Sequence, residues 1–167
     1  MRTILLILFT FCAFYAFAQR DVGVYLQQFD SLAVDMMLKH GIPASLVLGI
    51  AIHESAAGTS KLCAEKCNHF GLKGKKPSNK TKSGYAYRYI DFVSDEASFA
   101  HFANLVTSKK FYAALKGEAD PLKWLKALKR TGYASSSKWV SRTNFIIKKY
   151  NLTEYDRMMR DSTENRQ

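Results

Sequence analysis

Glu54 is the side chain whose type and position offer the most chemistry. It stands near the end of Ala44 to Ser55, a run apolar nearly all round and interrupted by this one acid. On a helix it lies in line with Ile50 and Val47, so its carboxyl emerges from the stripe that faces a core. Removing water from a carboxyl disfavours its charged form, and a carboxyl that keeps its proton is a general acid. The competing reading is a structural acid, bonded to the backbone of the next turn or to a Lys. Periodicity alone leaves both open.

Other motifs surround Glu54 in a definite order. Ala51-Ile52-His53-Glu54-Ser55-Ala56-Ala57-Gly58-Thr59-Ser60-Lys61-Leu62 is followed by Asn68-His69-Phe70-Gly71-Leu72-Lys73-Gly74, then by Gly132-Tyr133-Ala134, then by Ile146-Ile147-Lys148-Lys149-Tyr150-Asn151-Leu152. This series, over about Ser45 to Asp156, resembles the glucosaminidase family of peptidoglycan hydrolases, glycoside hydrolase family 73. The resemblance implies a lysozyme-like fold with a cleft. It also implies endo-β-N-acetylglucosaminidase activity, cutting the β-1,4 bond after N-acetylglucosamine in bacterial cell-wall glycan.

Carried over by residue, Glu54 matches the family's general acid and Tyr133 the aromatic beside it. The Tyr133 phenol would stabilise positive charge on the sugar or orient water; otherwise it is a ring packed behind a helix end. The substrate-side candidates are Asn68, Phe70, Gly71 and Tyr87. Phe70 and Gly71 would shape the cleft wall, the Asn68 amide would hold its loop, and Tyr87 offers a sugar-stacking face. The departure is the second carboxylate, which the family usually carries on the segment written here as Gly74 to Ile90. That segment has no Asp or Glu, and the next acid, Asp91, is the nominee. Four outcomes stay open: Asp91 substitutes; the substrate's own N-acetyl group is the nucleophile; one Glu suffices, as in a lytic transglycosylase; or catalysis is lost and binding persists.

The elements that must position these residues are mostly helices. Tyr25, Leu26, Phe29, Leu32, Ala33 and Met36 recur at helical spacing until Gly41-Ile42-Pro43 stops them. Ala44 to Ser55 is a central buried helix, and Ser60 caps a short one through Cys67. Ser94-Asp95-Glu96 opens a helix through Val106, and Asp120-Pro121 opens another through Arg130, with Gly132 after it. A last helix spans about Ser137 to Tyr150. On it Trp139 reads as a core residue, as does Trp124 on the preceding one. Alternation of Tyr85, Tyr87 and Tyr89 predicts a strand of a small hairpin. The fold class expected is α+β, mainly α: a helical domain with a β-hairpin excursion forming one wall of the cleft.

The 167 residues, 47% hydrophobic with 9 Gly and 3 Pro, suit one compact domain and exclude a disordered tail. Residues 1–18 read as a signal peptide: Arg2, an apolar stretch from Ile4 to Phe17, and small residues before cleavage after Ala18. That stretch is short for a membrane span. The remaining parts are an N-terminal helix at 19–43, the glucosaminidase-like domain at 44–156 and a polar tail at 157–167. A secreted or periplasmic monomer is expected, with no membrane insertion after cleavage.

In such a compartment Cys63 and Cys67 are expected as a disulfide, provided the helix ends between them; free thiols or zinc are the alternatives. No cofactor motif, metal-ligand spacing or Cys–His nucleophile is apparent, which disfavours an amidase. The net charge of +11 and the lysines at 73, 75, 76, 80 and 82 nominate wall polyanions as partners, or only a solvated loop. Export and the lack of a recognisable motif argue against nucleic acid.

Overall fold

The computed structural model describes residues 22–74 and 89–157, and within them the chain is mainly helical. The expected signal peptide, the segment 75–88 with Tyr87 and most of the tail lie outside the described residues. Helix α1 (22–40) buries Val22, Tyr25, Phe29, Ala33, Met36 and Met37, three or four apart except for the last pair. It ends at Gly41, as its sequence predicts. Helix α2 (Ala44–Ser55) is the centre of the domain, with its residues from Ala44 to Ile52 all buried. Its N-cap, Pro43, offers no side-chain oxygen. Instead Asp156, 111 positions away, accepts the Ser45 backbone N–H at 2.9 Å and brings a carboxylate to the positive end of α2.

The other helices are α3 (Lys61–Lys66), α4 (Asp95–Thr107), α5 (Tyr112–Leu115), α6 (Pro121–Arg130) and α7 (Trp139–Lys149). Ser60, Ser94 and Asp120 cap α3, α4 and α6 through their side chains, as local sequence requires. The single turn of α5 was not expected, because four residues carry no readable period. Of the expected hairpin the described residues contain one antiparallel bridge, Lys73 with Tyr89. No helix among them is long and apolar enough to cross a membrane.

The contact that matters most for the site is α2 against α7. A Cβ placed on Gly49 would lie 2.4 Å from Cγ1 of Ile147 and 3.7 Å from Cγ2 of Thr143. One turn further along α2, Glu54 meets Trp139 at the other end of α7, so the two helices run antiparallel. Gly49 sets how closely they approach. Gly49→Ala gains up to about 1 kcal/mol of helix propensity, but overpacking costs about 1–3 kcal/mol. Because Ile147 is buried and β-branched, the collision should win. Thermal denaturation is expected to show a net loss of about 1–2 kcal/mol; an unchanged or raised melting temperature would show that α7 adapts at no cost.

The expected disulfide is not formed: both cysteines are free thiols. Helix α3 continues through Lys66, and only Cys67 takes a left-handed conformation. Cys63 therefore points into the interior, its Sγ 3.4 Å from Nδ1 of His69, while Cys67 caps the helix end.

Candidate active site

A groove of about 790 Å³ opens along one end of α2. Glu54 lines it half-buried, and its neighbours are Phe70 and Gly71 from the loop after α3, Tyr133 from the α6–α7 turn, and Trp139 from the start of α7. The Trp139 indole N–H donates to Oε1 of Glu54 at 2.6 Å, a charge-assisted bond if the carboxyl is ionised. Glu54 Oε2 faces Gly71, where a Cβ would stand 3.2 Å away, and Gly71 has φ +60°. A side chain there would be both strained and pressed against the carboxyl. With Oε1 engaged as an acceptor, Oε2 is the oxygen that faces the space beside Gly71.

Tyr133 donates its hydroxyl to the Phe70 carbonyl at 2.8 Å, and its ring lies 5.3 Å from that of Trp139. Burial first, then the negative charge of Glu54, pushes the Tyr133 phenol well above its ordinary range. It is a neutral donor under all physiological conditions. The turn that carries it is clamped from α6, where Lys129 donates to the carbonyls of Ala134 at 2.6 Å and Ser135 at 2.9 Å.

The geometry has counterparts elsewhere. The model of the Glucosaminidase family, described as mannosyl-glycoprotein endo-beta-N-acetylglucosaminidase, matches residues 30–152. The chain belongs to the Glucosaminidase family. It is 27% identical over 149 residues to the exo-glucosaminidase LytG of Bacillus subtilis (strain 168), covering 80% of this chain and 53% of that protein. The chain thus spans about half the length of this curated relative. Its fold is that of the catalytic domain of the autolysin Auto from Listeria monocytogenes, with TM-score 0.65, 22% identity, and 81% and 87% of the two chains covered. It is likewise that of a peptidoglycan hydrolase from Sphingomonas sp. A1, with TM-score 0.63, 23% identity, and 79% and 91% covered.

Within this glucosaminidase fold the sequence candidates are sorted by position. Glu54, Tyr133, Phe70 and Gly71 come together in the groove. Phe70, however, turns its ring inward, stacked 4.1 Å from Phe102, and faces Tyr133 with its carbonyl. Asn68 is fully buried and touches no groove space. Its amide accepts from Leu72 N–H and donates to the carbonyls of Leu72 and Ile90, tying together the two ends of the excursion. Both of its N–H groups are used, so it holds the loop and has no donor left for a substrate.

Asp91, the nominated second acid, stands outside the groove. It is exposed and paired with Lys66 at 2.7 Å. Among the described residues Glu54 is the one carboxylate that lines the groove.

Trp139 is where the sequence reading placed it, but its bond to the acid was not foreseen. It is 2% exposed and belongs to the core, yet its N–H reaches the acid. A second correction concerns Cys63 and His69, which the fold does bring together. His69 is buried, with Nε2 2.7 Å from Asp95 Oδ1 and Nδ1 2.7 Å from the Tyr25 hydroxyl. Both ring nitrogens are thereby engaged. Burial first, then the charge of Asp95, pushes the Cys63 thiol up to about 11, so it is no ready nucleophile. The cluster joins α1, α3 and α4 behind the loop that carries Gly71. Among the described residues no three His, Cys, Asp or Glu side chains gather as metal ligands.

Proposed function

We propose that this glucosaminidase is an exported hydrolase of bacterial cell-wall glycan, an endo-β-N-acetylglucosaminidase that cuts the β-1,4 bond after N-acetylglucosamine with Glu54 as general acid. The observation that supports it is the placement of one half-buried carboxyl in a groove, with one oxygen engaged by Trp139 and the other open beside Gly71. Glu54 gives its proton to the glycosidic oxygen as the bond from that oxygen to C1 breaks.

Positive charge developing at C1 then needs a partner, and among the described residues no second carboxylate lines the groove. The substrate's own acetamido oxygen can close on C1, after which water, giving its proton to the Glu54 carboxylate, opens the ring and restores the acid. The same single acid favours a second reading, a lytic transglycosylase, which cuts the bond after the muramic sugar: that sugar's own 6-hydroxyl closes on its C1 and gives its proton to the Glu54 carboxylate. Mass analysis of fragments from digested sacculi tests both. Reducing N-acetylglucosamine ends support the hydrolase, anhydro-muramic ends replace it with the transglycosylase, and binding without solubilisation refutes both. Fragment length also tells internal cutting from the terminal cutting named for the Bacillus subtilis relative.

A further inference from the structure

A neutral sugar chain gives a groove no reason to gather side chains that donate to anions, and this one does. Beside its one carboxylate the described lining carries Lys73, His53, His101 and Lys109. Two of these flank one apolar residue on the same side of the groove. His101 and Leu105 stand one turn apart on α4, and Lys109 follows two residues past its end; all three line the groove. The apolar member sits between two groups able to donate to an anion.

Off the groove, among the described residues, some cations are answered by acids and others, such as the exposed Lys110, Lys126 and Lys148, are not. Lys39, Lys61, Lys66, Lys123 and Arg157 pair with Asp35, Glu65, Asp91, Glu118 and Glu154. Lys109 and His101 have no acid partner among the described residues, and the contact given for His101 is an edge-on one with the Phe92 ring at 5.4 Å. Lys109 is also half-buried, whereas Lys110 next to it is exposed and off the groove.

We propose that His101 and Lys109 form a carboxylate-binding edge of the groove, which reads the acid group borne on alternate sugars of a cell-wall strand. Leu105 between them offers an apolar surface to the sugar ring. The inference rests on the glycan-hydrolase reading above. The carboxylate comes either from the lactyl ether of a peptide-free strand or from the stem peptide of an intact one. Both present an anion that a strand of N-acetylglucosamine alone lacks.

The test compares three substrates: intact glycan strands, peptide-free strands and N-acetylglucosamine oligomers. Cleavage is followed with the wild-type chain, and binding with Glu54→Gln protein, so that the subsite is assayed even if no bond is cut. The variants are His101→Gln with Lys109→Gln, and Lys110→Gln as a surface control. Wild type should favour acid-bearing over neutral strands, with a preference that declines as salt rises. In the double variant the ratio of acid-bearing to neutral affinity should fall about five- to tenfold, and Lys110→Gln should keep it. A fall on peptide-free strands assigns the lactyl group, and a fall on intact strands alone assigns the stem peptide. Equal losses on charged and neutral substrates, or an unchanged ratio, would overturn the inference. If the wild-type chain cuts none of the three substrates while the double variant still lowers the binding ratio, the hydrolase reading is overturned and the subsite stands.

Discussion

Glu54→Gln protein is expected to solubilise cell-wall suspensions about a thousandfold more slowly than the parent, with its melting temperature within a few degrees of it. The exchange is nearly isosteric. Glutamine keeps an oxygen that can accept the Trp139 N–H, so the 2.6 Å bond and the packing of α7 on α2 survive in altered form. What disappears is the capacity of the oxygen beside Gly71 to hand on a proton. An amide cannot hand a proton to a leaving sugar, and removing a positioned general acid typically costs 10²–10⁴ in rate. Turbidity clearance by the two proteins, normalised to folded fraction by circular dichroism, measures the difference. Rates within tenfold of each other would remove Glu54 from the chemistry and reduce it to the buried structural acid that its periodicity also allowed.

Features written in neighbouring residues were readable before the fold was known. The caps of α3, α4 and α6 each join a Ser or Asp to a backbone N–H two or three positions ahead, so sequence and structure agree there. The burial of α2 followed from a run with no polar face. Contacts between residues far apart in the chain were not readable. Asp156 reaches Ser45 across 111 positions and Trp139 reaches Glu54 across 85, and nothing in either local pattern announces the partner.

Trp139 also shows why a periodic stripe can mislead. It aligns with Thr143 and Ile147 on α7, and that stripe is buried as expected, but an indole carries its one donor at the edge of a large apolar ring. Periodicity reports where the ring lies and says nothing of where the edge ends. Asp91 shows the same limit: Tyr89 and Ile90 before it line the groove, but its own exposed carboxylate pairs with Lys66, a partner 25 positions away that no local pattern announces.

The second large effect is expected from Trp139→Phe. Phenylalanine keeps an aromatic ring beside Tyr133 and removes only the N–H and part of the indole. Hydrogen bonds to charged groups contribute about 1.5–3 kcal/mol, so if Trp139 holds the acid in its working position kcat should fall roughly 10- to 100-fold with KM little changed. Lost packing will lower stability as well, and that part has to be separated. Trp124 supplies the control. It is fully buried, its indole N–H donates to the Glu118 carbonyl at 2.8 Å, and it does not line the groove. Trp124→Phe makes the same chemical deletion in the same core and should lower the melting temperature by at least as much, with no fall in kcat. If the two variants lose activity in proportion to stability, the indole at 139 is packing alone. If kcat falls only for Trp139→Phe, aiming the Glu54 carboxyl is a task of the helix opposite it, and the close approach of α2 and α7 at Gly49 is the feature of the fold that makes this possible.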